Sequence, residues 1–107
     1  MIAAEVISVA ESTIAGREII FKENTTQAST LEVGDANYNQ LDNPEEIPGY
    51  RPWAIAGFHF TGTNYKFASL NSCFIDNNGK IHWGWQNHHP SASVTINLAV
   101  LVVYIKV

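Results

Sequence analysis

The C-terminal segment, residues 92–107, restricts the fold more than any other part of the chain. One face of this segment, read as a strand, carries large apolar side chains: Val94, Ile96, Leu98, Val100, Val102 and Tyr104. The other face carries Thr95, Asn97, Ala99, Leu101, Val103 and Ile105. The first half therefore alternates apolar with polar residues, whereas both faces are apolar from Leu98 onward. The pattern predicts one long strand whose second half is buried on both sides.

Burial on both faces of this strand has two explanations. In a two-layer sandwich the outer face of a strand normally meets water, so a second apolar face indicates contact with another subunit. Alternatively, the strand is central and a loop covers its outer face. Charged residues make up only 15% of the chain, against about 25% in typical soluble domains, which indicates that part of the surface is covered by other subunits or by a ligand. The predicted oligomer-interface residues are Leu98, Val100, Leu101, Val102, Val103, Tyr104 and Ile105.

The second half of the chain is predicted to form an antiparallel meander. Aromatic and β-branched residues predict strands over residues 53–61, 65–75 and 80–86, before the final strand. Residues 61–64 and 76–79 contain Gly and Asn, which favour tight hairpin turns. Pro90 ends pairing ahead of the final strand, because proline has no backbone N–H.

The first half of the chain is less regular. Residues 16–22 and 29–33 have strand character, whereas the apolar positions of residues 2–10 fit either a strand or a short helix. Residues 34–50 hold few large hydrophobic residues and are predicted to form a long surface connection. We therefore expect residues 1–107 to form a single all-β domain, an antiparallel β-sandwich of jelly-roll type.

A pair of tryptophans suggests a ligand-binding surface. Trp83 and Trp85 are two residues apart on a predicted strand and share one face, with Gly84 leaving the opposite face open. Aromatic rings can cover the C–H face of a sugar while neighbouring amides bind its hydroxyl groups. The alternative is that one or both tryptophans lie in the core or at a subunit contact. The predicted ligand-binding residues are Trp83, Trp85, Gln86, Asn87, His88 and His89, with Asn64 and Tyr65 as neighbours.

The sequence predicts neither a metal site nor a catalytic site. The four histidines, His59, His82, His88 and His89, include no His-x-His pair that would place two ligands on one face of a strand. A histidine near the axis of a trimer would be repeated three times, which leaves one route to a metal open. No catalytic motif of a hydrolase, zinc protease or nucleotide-binding enzyme occurs. We expect no catalytic residues and no cofactor.

Charge and hydropathy exclude several partners. The net charge is −4 and the Lys and Arg residues are scattered, so the sequence predicts no nucleic-acid binding. The longest apolar run is far shorter than the roughly 20 residues of a membrane-spanning helix, which predicts no membrane insertion. The N-terminal segment has no basic residue before Arg17 and is not typical of a signal peptide. Cys73 is the only cysteine and is interpreted as a packed thiol.

Residues 47–107 contain a series of short motifs. The run Ile-Pro-Gly-Tyr-Arg-Pro occupies residues 47–52, and a Thr-Gly-Thr-Asn turn occupies residues 61–64. The Trp-rich strand ends in Gln86-Asn87, and the chain closes on Val-Val-Tyr-Ile-Lys at residues 102–106. This series resembles the C-terminal head, or tip, domain of bacteriophage tail-fibre and receptor-binding proteins.

The resemblance implies a homotrimeric β-sandwich at the tip of a tail fibre in the virion. Such a head recognises a host cell-surface glycan or protein through exposed loops and contacts other tail-fibre or virion components. Our first hypothesis is therefore a non-catalytic binding module. The alternative is a structural or assembly protein of a virion or phage-like particle that binds no sugar.

Overall fold

The computed structural model of the protein describes residues 13, 14 and 16–107. Within these residues the regular structure is almost entirely β. The strands are Thr13–Ile14 (β1), Arg17–Thr25 (β2), Ser29–Leu31 (β3), Gln40–Asp42 (β4), Tyr50–Thr61 (β5), Ala68–Ile75 (β6), Ile81–Asn87 (β7) and Val94–Lys106 (β8). A single 3₁₀ turn spans Tyr65–Phe67. Every strand pair is antiparallel, which confirms the predicted all-β, antiparallel class, whereas the jelly-roll type stays a prediction.

Strand β8 is the centre of the larger, five-stranded sheet. On one edge, β3 pairs with its first residues and β2 with the remainder, and β1 extends the sheet beyond β2. On the other edge, β5 pairs with β8 along almost its whole length, interrupted by two bulges. The long final strand predicted from the sequence is thus confirmed, and side chains on both of its faces are buried: Ala99, Val103 and Ile105 on one, and Val100, Val102 and Tyr104 on the other.

A smaller sheet contains the three strands β4, β7 and β6, in that order. Strands β6 and β7 form a hairpin around residues 76–79, as the Asp-Asn-Asn-Gly sequence predicts. The Asp76 side chain closes this turn, because its Oδ1 accepts the backbone N–H of Asn78 at 2.8 Å and of Lys80 at 3.0 Å.

The hydrophobic core lies between the two sheets. Its fully buried side chains come from β7 and from the inner face of β8: Ile81, Trp83, Trp85, Val94, Ile96, Leu98, Val100, Val102 and Tyr104. Four of the predicted interface residues, Leu98, Val100, Val102 and Tyr104, therefore belong to the core of the chain itself. The prediction that they contact another subunit is wrong, because they are fully buried within the chain, in one cluster with Ile81, Trp83 and Trp85 of the small sheet.

The predicted meander is also wrong in its connections. Strand β5 pairs with β8 and not with β6, and β7 and β8 lie in different sheets that face each other. Residues 61–64 are consequently not a hairpin turn but the passage from the large sheet to the small one. Gly62 fits there because it has φ +118° and a Cβ would lie 2.9 Å from the carbonyl oxygen of Thr95.

In the first half of the chain, β2 and β3 correspond to the two predicted strands, with β2 three residues longer at its end. The predicted connection over residues 34–50 contains β4, which pairs with β7. The strand or helix expected over residues 2–10 lies outside the described residues. Among the residues described, none belongs to a helix of the length and hydropathy needed to cross a bilayer.

Candidate binding surface

Trp83 and Trp85 lie in the core and not on a ligand surface. Both side chains are 0% exposed, so the predicted stacking platform is wrong for this face of β7. Each indole N–H has a partner inside the protein. Trp83 Nε1 donates to Asp42 Oδ2 at 2.8 Å, and Trp85 Nε1 donates to Ser29 Oγ at 2.8 Å. The two rings thus supply apolar volume and connect β7 to β4 and to β3 of the opposite sheet.

Asn87 is likewise structural, contrary to its prediction as a ligand-binding residue. Its side chain is fully buried at the end of β7. Its Nδ2 lies 3.0 to 3.1 Å from the carbonyl oxygens of Leu31, Glu32 and Ala92, and its Oδ1 accepts the backbone N–H of His89 at 2.8 Å. One amide group therefore holds together the ends of three chain segments.

The opposite face of the same strand is turned to the outside. His82 pairs with Leu41 of β4 on one side and with Phe74 of β6 on the other, so the three side chains form a row across the small sheet. The Phe74 ring stacks on the His82 ring, with centroids 4.7 Å apart and planes 6° from parallel. Leu41 and Phe74 are both exposed, Phe74 at 49%. The face of β7 that is turned outward is therefore the one opposite Trp83 and Trp85.

Tyr38 lies beside this row because the chain crosses directly over Gly84. Asn71 Nδ2 donates to the carbonyl oxygen of Asn37 at 3.0 Å, and Ser72 Oγ donates to that of Tyr38 at 3.1 Å. A Cβ on Gly84 would lie 2.6 Å from the Tyr38 Cα, so only glycine allows the crossing. The Tyr38 side chain itself is 70% exposed. We refer to Tyr38, Leu41, Phe74 and His82 as the β7 outer surface.

His82 is held in place at both ring nitrogens. Its Nδ1 lies 2.7 Å from Asn39 Oδ1, and its Nε2 lies 2.6 Å from Asp76 Oδ2. The backbone N–H of Lys80, followed by the hydrogen bond from His82, lowers the pKa of the Asp76 carboxyl below its ordinary value. Since both nitrogens already face oxygen atoms, His82 orients the surface and has no free nitrogen with which to take a proton from a ligand.

The remaining predicted ligand residues lie toward one end of the molecule. Gln86 is half-buried on the outer face of β7, and His88 Nε2 lies 2.6 Å from Ser69 Oγ. The exposed residues Asn64 and Tyr65 begin the 3₁₀ turn, which meets the following loop where His88 N donates to Phe67 O at 2.8 Å. His89 packs its ring against Phe67, with centroids 4.4 Å apart. The structure therefore brings the two predicted loops together, at a distance along β7 from His82.

Two grooves accompany these surfaces. The larger, of about 810 Å³, lies between residues 43–52 and 78–80. Arg51 and Lys80 are its cationic lining residues, and Lys80 Nζ donates to Asn43 Oδ1 at 2.6 Å. Glu45, also in its lining, pairs with Lys22 at 3.3 Å. Among the residues described, no group of three or more His, Cys, Asp or Glu side chains is arranged to hold a metal ion.

The second groove lies on the outer face of the large sheet. It has a volume of about 210 Å³ and is lined by Glu23, Gly57, Phe58, His59, Ala99 and Leu101. Three of the predicted interface residues, Leu101, Val103 and Ile105, lie on this face. Val103 and Ile105 are buried within the chain in a small cluster with Ile19 and Ala54, which contradicts their prediction as interface residues, whereas Leu101 is half-buried. Phe21, which pairs with Val103, is 53% exposed here. We refer to this side of the large sheet as the β8 outer face.

In comparisons with protein-family models, curated proteins and solved structures, the chain matches none of them. The sequence predicted an exposed face of β7 at Trp83 and Trp85, and that face is buried. One signal indicated its burial: Ile81, Trp83 and Trp85 form a continuous apolar row, which is typical of the buried side of a strand.

Proposed function

We propose that the protein is a non-catalytic binding module that holds a saccharide against the β7 outer surface. The observation that carries this proposal is the exposure of Tyr38, which crosses over Gly84, and of Phe74 on one face of the small sheet, beside Leu41. Proteins normally bury such side chains or use them for recognition when several share one surface.

The surrounding groups have the chemistry that a sugar requires. The rings of Tyr38 and Phe74 can cover the C–H face of a pyranose, as aromatic side chains do at carbohydrate sites. Asn39 and Asn71 are exposed at the border of the surface, and Gln86 lies further along β7 on the same face. Their amides can donate to and accept from hydroxyl groups. The surface is shallow, which favours weak binding to a repeated ligand over tight capture of a single molecule.

The biological setting of this proposal comes from the resemblance of residues 47–107 to phage tail-fibre heads. It supplies the host cell-surface glycan as the ligand, with a host protein as the alternative, and the tip of a tail fibre in the virion as the location. Phe74 and His82 lie within that region, whereas Tyr38 and Leu41 precede it. The homotrimer that the resemblance implies stays a prediction.

A structural role in a particle, without sugar binding, is the second candidate function. The observation that favours it is the apolar β8 outer face, where Phe21 and Leu101 are available for contact with another subunit. The two functions are compatible, because the β7 outer surface and the β8 outer face are on different sheets.

The test compares two exposed tyrosines. Glycan-array binding is measured for the wild type, Tyr38→Ala and Tyr65→Ala. Tyr38 is on the proposed surface, whereas Tyr65 is at the loop end that the sequence predicted. We expect Tyr38→Ala to weaken binding at least about tenfold, as loss of a central aromatic contact does, and Tyr65→Ala to leave it unchanged. Loss of binding in Tyr65→Ala alone would place the site at the loop end, and wild type that binds no glycan would favour the assembly role.

A further inference from the structure

We infer that the saccharide held by the β7 outer surface carries an anionic group, a carboxylate, sulfate or phosphate, and that the ammonium group of Lys80 binds it. This inference rests on the proposed function and deepens it, because it names the class of saccharide that the same surface takes. Lys80 lies next to the aromatic side chains of that surface and has no carboxylate partner among the described residues. It also lines the groove of about 810 Å³.

Lys80 belongs to the row of outward side chains next to the row that contains His82. Strand β7 begins at Ile81, and Asp76 and Lys80 close the β6–β7 hairpin with a hydrogen bond from Asp76 N to Lys80 O at 3.0 Å. Residues two apart on a strand share a face, so Lys80 is on the same side as His82. The step between such rows is about 7 Å, which a sugar ring with an anionic substituent can span. The ammonium group can therefore reach a ligand that stacks on Phe74.

The positive charge of Lys80 is available to a ligand. Within the part of the chain that the structure describes, no carboxylate oxygen lies within 4 Å of Lys80 Nζ, whereas Lys22 and Lys106 each have a glutamate partner. The hydrogen bond that Lys80 Nζ donates goes to the neutral amide oxygen of Asn43, at 2.6 Å. An ammonium group has three N–H donors, so two of them are left for an anionic group of the ligand.

The acidic neighbour of Lys80, Asp76, is bound to other groups. Its Oδ1 accepts the backbone N–H groups of Asn78 and Lys80, and its Oδ2 lies 2.6 Å from His82 Nε2. The carboxylate is thus directed to the turn and to the histidine ring, whereas the Lys80 side chain reaches across the sheet to Asn43. The bond to Asn43 holds the ammonium group in position before a ligand arrives, which reduces the entropy that binding costs.

The groove beside Lys80 gives a longer anionic saccharide room to extend. Lys80 and Asn43 both line it, so the groove adjoins the β7 outer surface. Its acidic lining residues are Glu45, which pairs with Lys22, and Glu46. Together with Lys22, the cationic lining residues outnumber these two acids by one, although the whole chain has a net charge of −4. An anionic group therefore meets a local excess of positive charge at this end of the surface.

The experiment is a glycan array of matched pairs, in which one saccharide of each pair carries a carboxylate, a sulfate or a phosphate and the other is neutral. The wild type is expected to bind the anionic member at least about threefold more tightly, as an exposed ion pair allows. Raising the salt from about 0.1 M to about 1 M should remove this preference, because salt screens the ion pair but not the stacking. Equal binding of both members, or tighter binding of the neutral one, would overturn the inference and leave the proposed function standing. A wild type that binds no glycan would overturn both.

Three variants show whether Lys80 is the group responsible. Lys80→Gln removes the charge and should bring the affinity for the anionic member down to that for the neutral one, whereas Lys80→Arg keeps the charge and should keep most of the preference. Lys66→Gln is the matched control, because Lys66 is at the loop end, with its Nζ 5.3 Å from the centroid of the Phe67 ring, and it should keep the preference in full. Thermal unfolding checks that all three variants are folded. A preference that survives in Lys80→Gln, or that is lost in Lys66→Gln, would overturn the inference.

Discussion

At the scale of single residues, Asn87 shows how a polar side chain can stabilise an all-β core. The end of β7 is buried, so the carbonyl groups that meet there would lose water without gaining a partner. Asn87 provides its Nδ2 for Leu31, Glu32 and Ala92 and its Oδ1 for the N–H of His89. Its position next to two histidines suggested recognition, but its role is to join loops.

We expect Asn87→Ala to lower the free energy of unfolding by about 2–3 kcal/mol, because several buried backbone groups lose their partner at once. Urea denaturation measures the change. Asn77→Ala is the matched control, since Asn77 is exposed in the β6–β7 turn, and it should stay within about 0.5 kcal/mol of the wild type. Equal effects of the two substitutions would show that the amide of Asn87 has no special role.

Gly84 can be tested against another strand glycine. A Cβ at position 84 would approach backbone atoms of Asn37 and Tyr38 at 2.6 Å, whereas a Cβ at Gly57 would meet nothing within 4 Å. Gly84→Ala should therefore destabilise the protein by about 3 kcal/mol through overpacking. Gly57→Ala should be neutral or slightly stabilising, because it reduces the freedom of the unfolded chain. Urea denaturation at low protein concentration compares them, and a Gly84→Ala protein as stable as Gly57→Ala would contradict the crossing over β7.

Protonation of Asp76 is expected to make the stability of the protein depend on pH in the acidic range. Its pKa is lowered in the folded state by the N–H of Lys80 and by His82, so the unfolded chain binds its proton first as the pH falls. The stability that the carboxylate contributes is therefore complete above its unfolded pKa, near 4, and is lost as the pH falls through the lower folded value. Asp76→Asn should show a smaller loss of thermal stability between about pH 5 and pH 2 than the wild type. Identical pH profiles for the two proteins would contradict this role.

At the scale of strands, the sequence predicted elements better than it predicted their partners. The alternation in residues 92–107 is strong enough to place β8 within two residues. Strand β7, predicted over residues 80–86 and observed over Ile81–Asn87, was equally clear. The pairing of β5 with β8 could not be predicted, because it joins segments far apart in the chain and no local turn signal indicates it.

The orientation of β7 could not be read from its own residues. A period of two defines two faces but not which one is buried. The outcome depends on distant groups: the inner face of β8 covers Trp83 and Trp85, and Asp42 and Ser29 accept their indole N–H groups. The short strand β4 was missed for a similar reason, since Gln-Leu-Asp has a single apolar residue and pairs only because β7 is beside it. Leu41, which lies in β4, and Tyr38, which lies in the loop before it, were therefore not predicted as site residues.

At the scale of the whole molecule, the two sheets separate two surfaces. The small sheet presents the β7 outer surface on one side, and the large sheet presents the β8 outer face on the other.

The measurement that tests the central claim most directly is an NMR titration of the isotope-labelled protein with a glycan that it binds. The account predicts that the amide signals of Tyr38, Leu41, Phe74 and His82 shift together and saturate with one dissociation constant. Signals of Tyr65 and His88 at the loop end, and of Phe21 on the β8 outer face, should stay in place. Shifts confined to the loop end or to the β8 outer face would contradict the claim that the outward face of β7 is the binding surface.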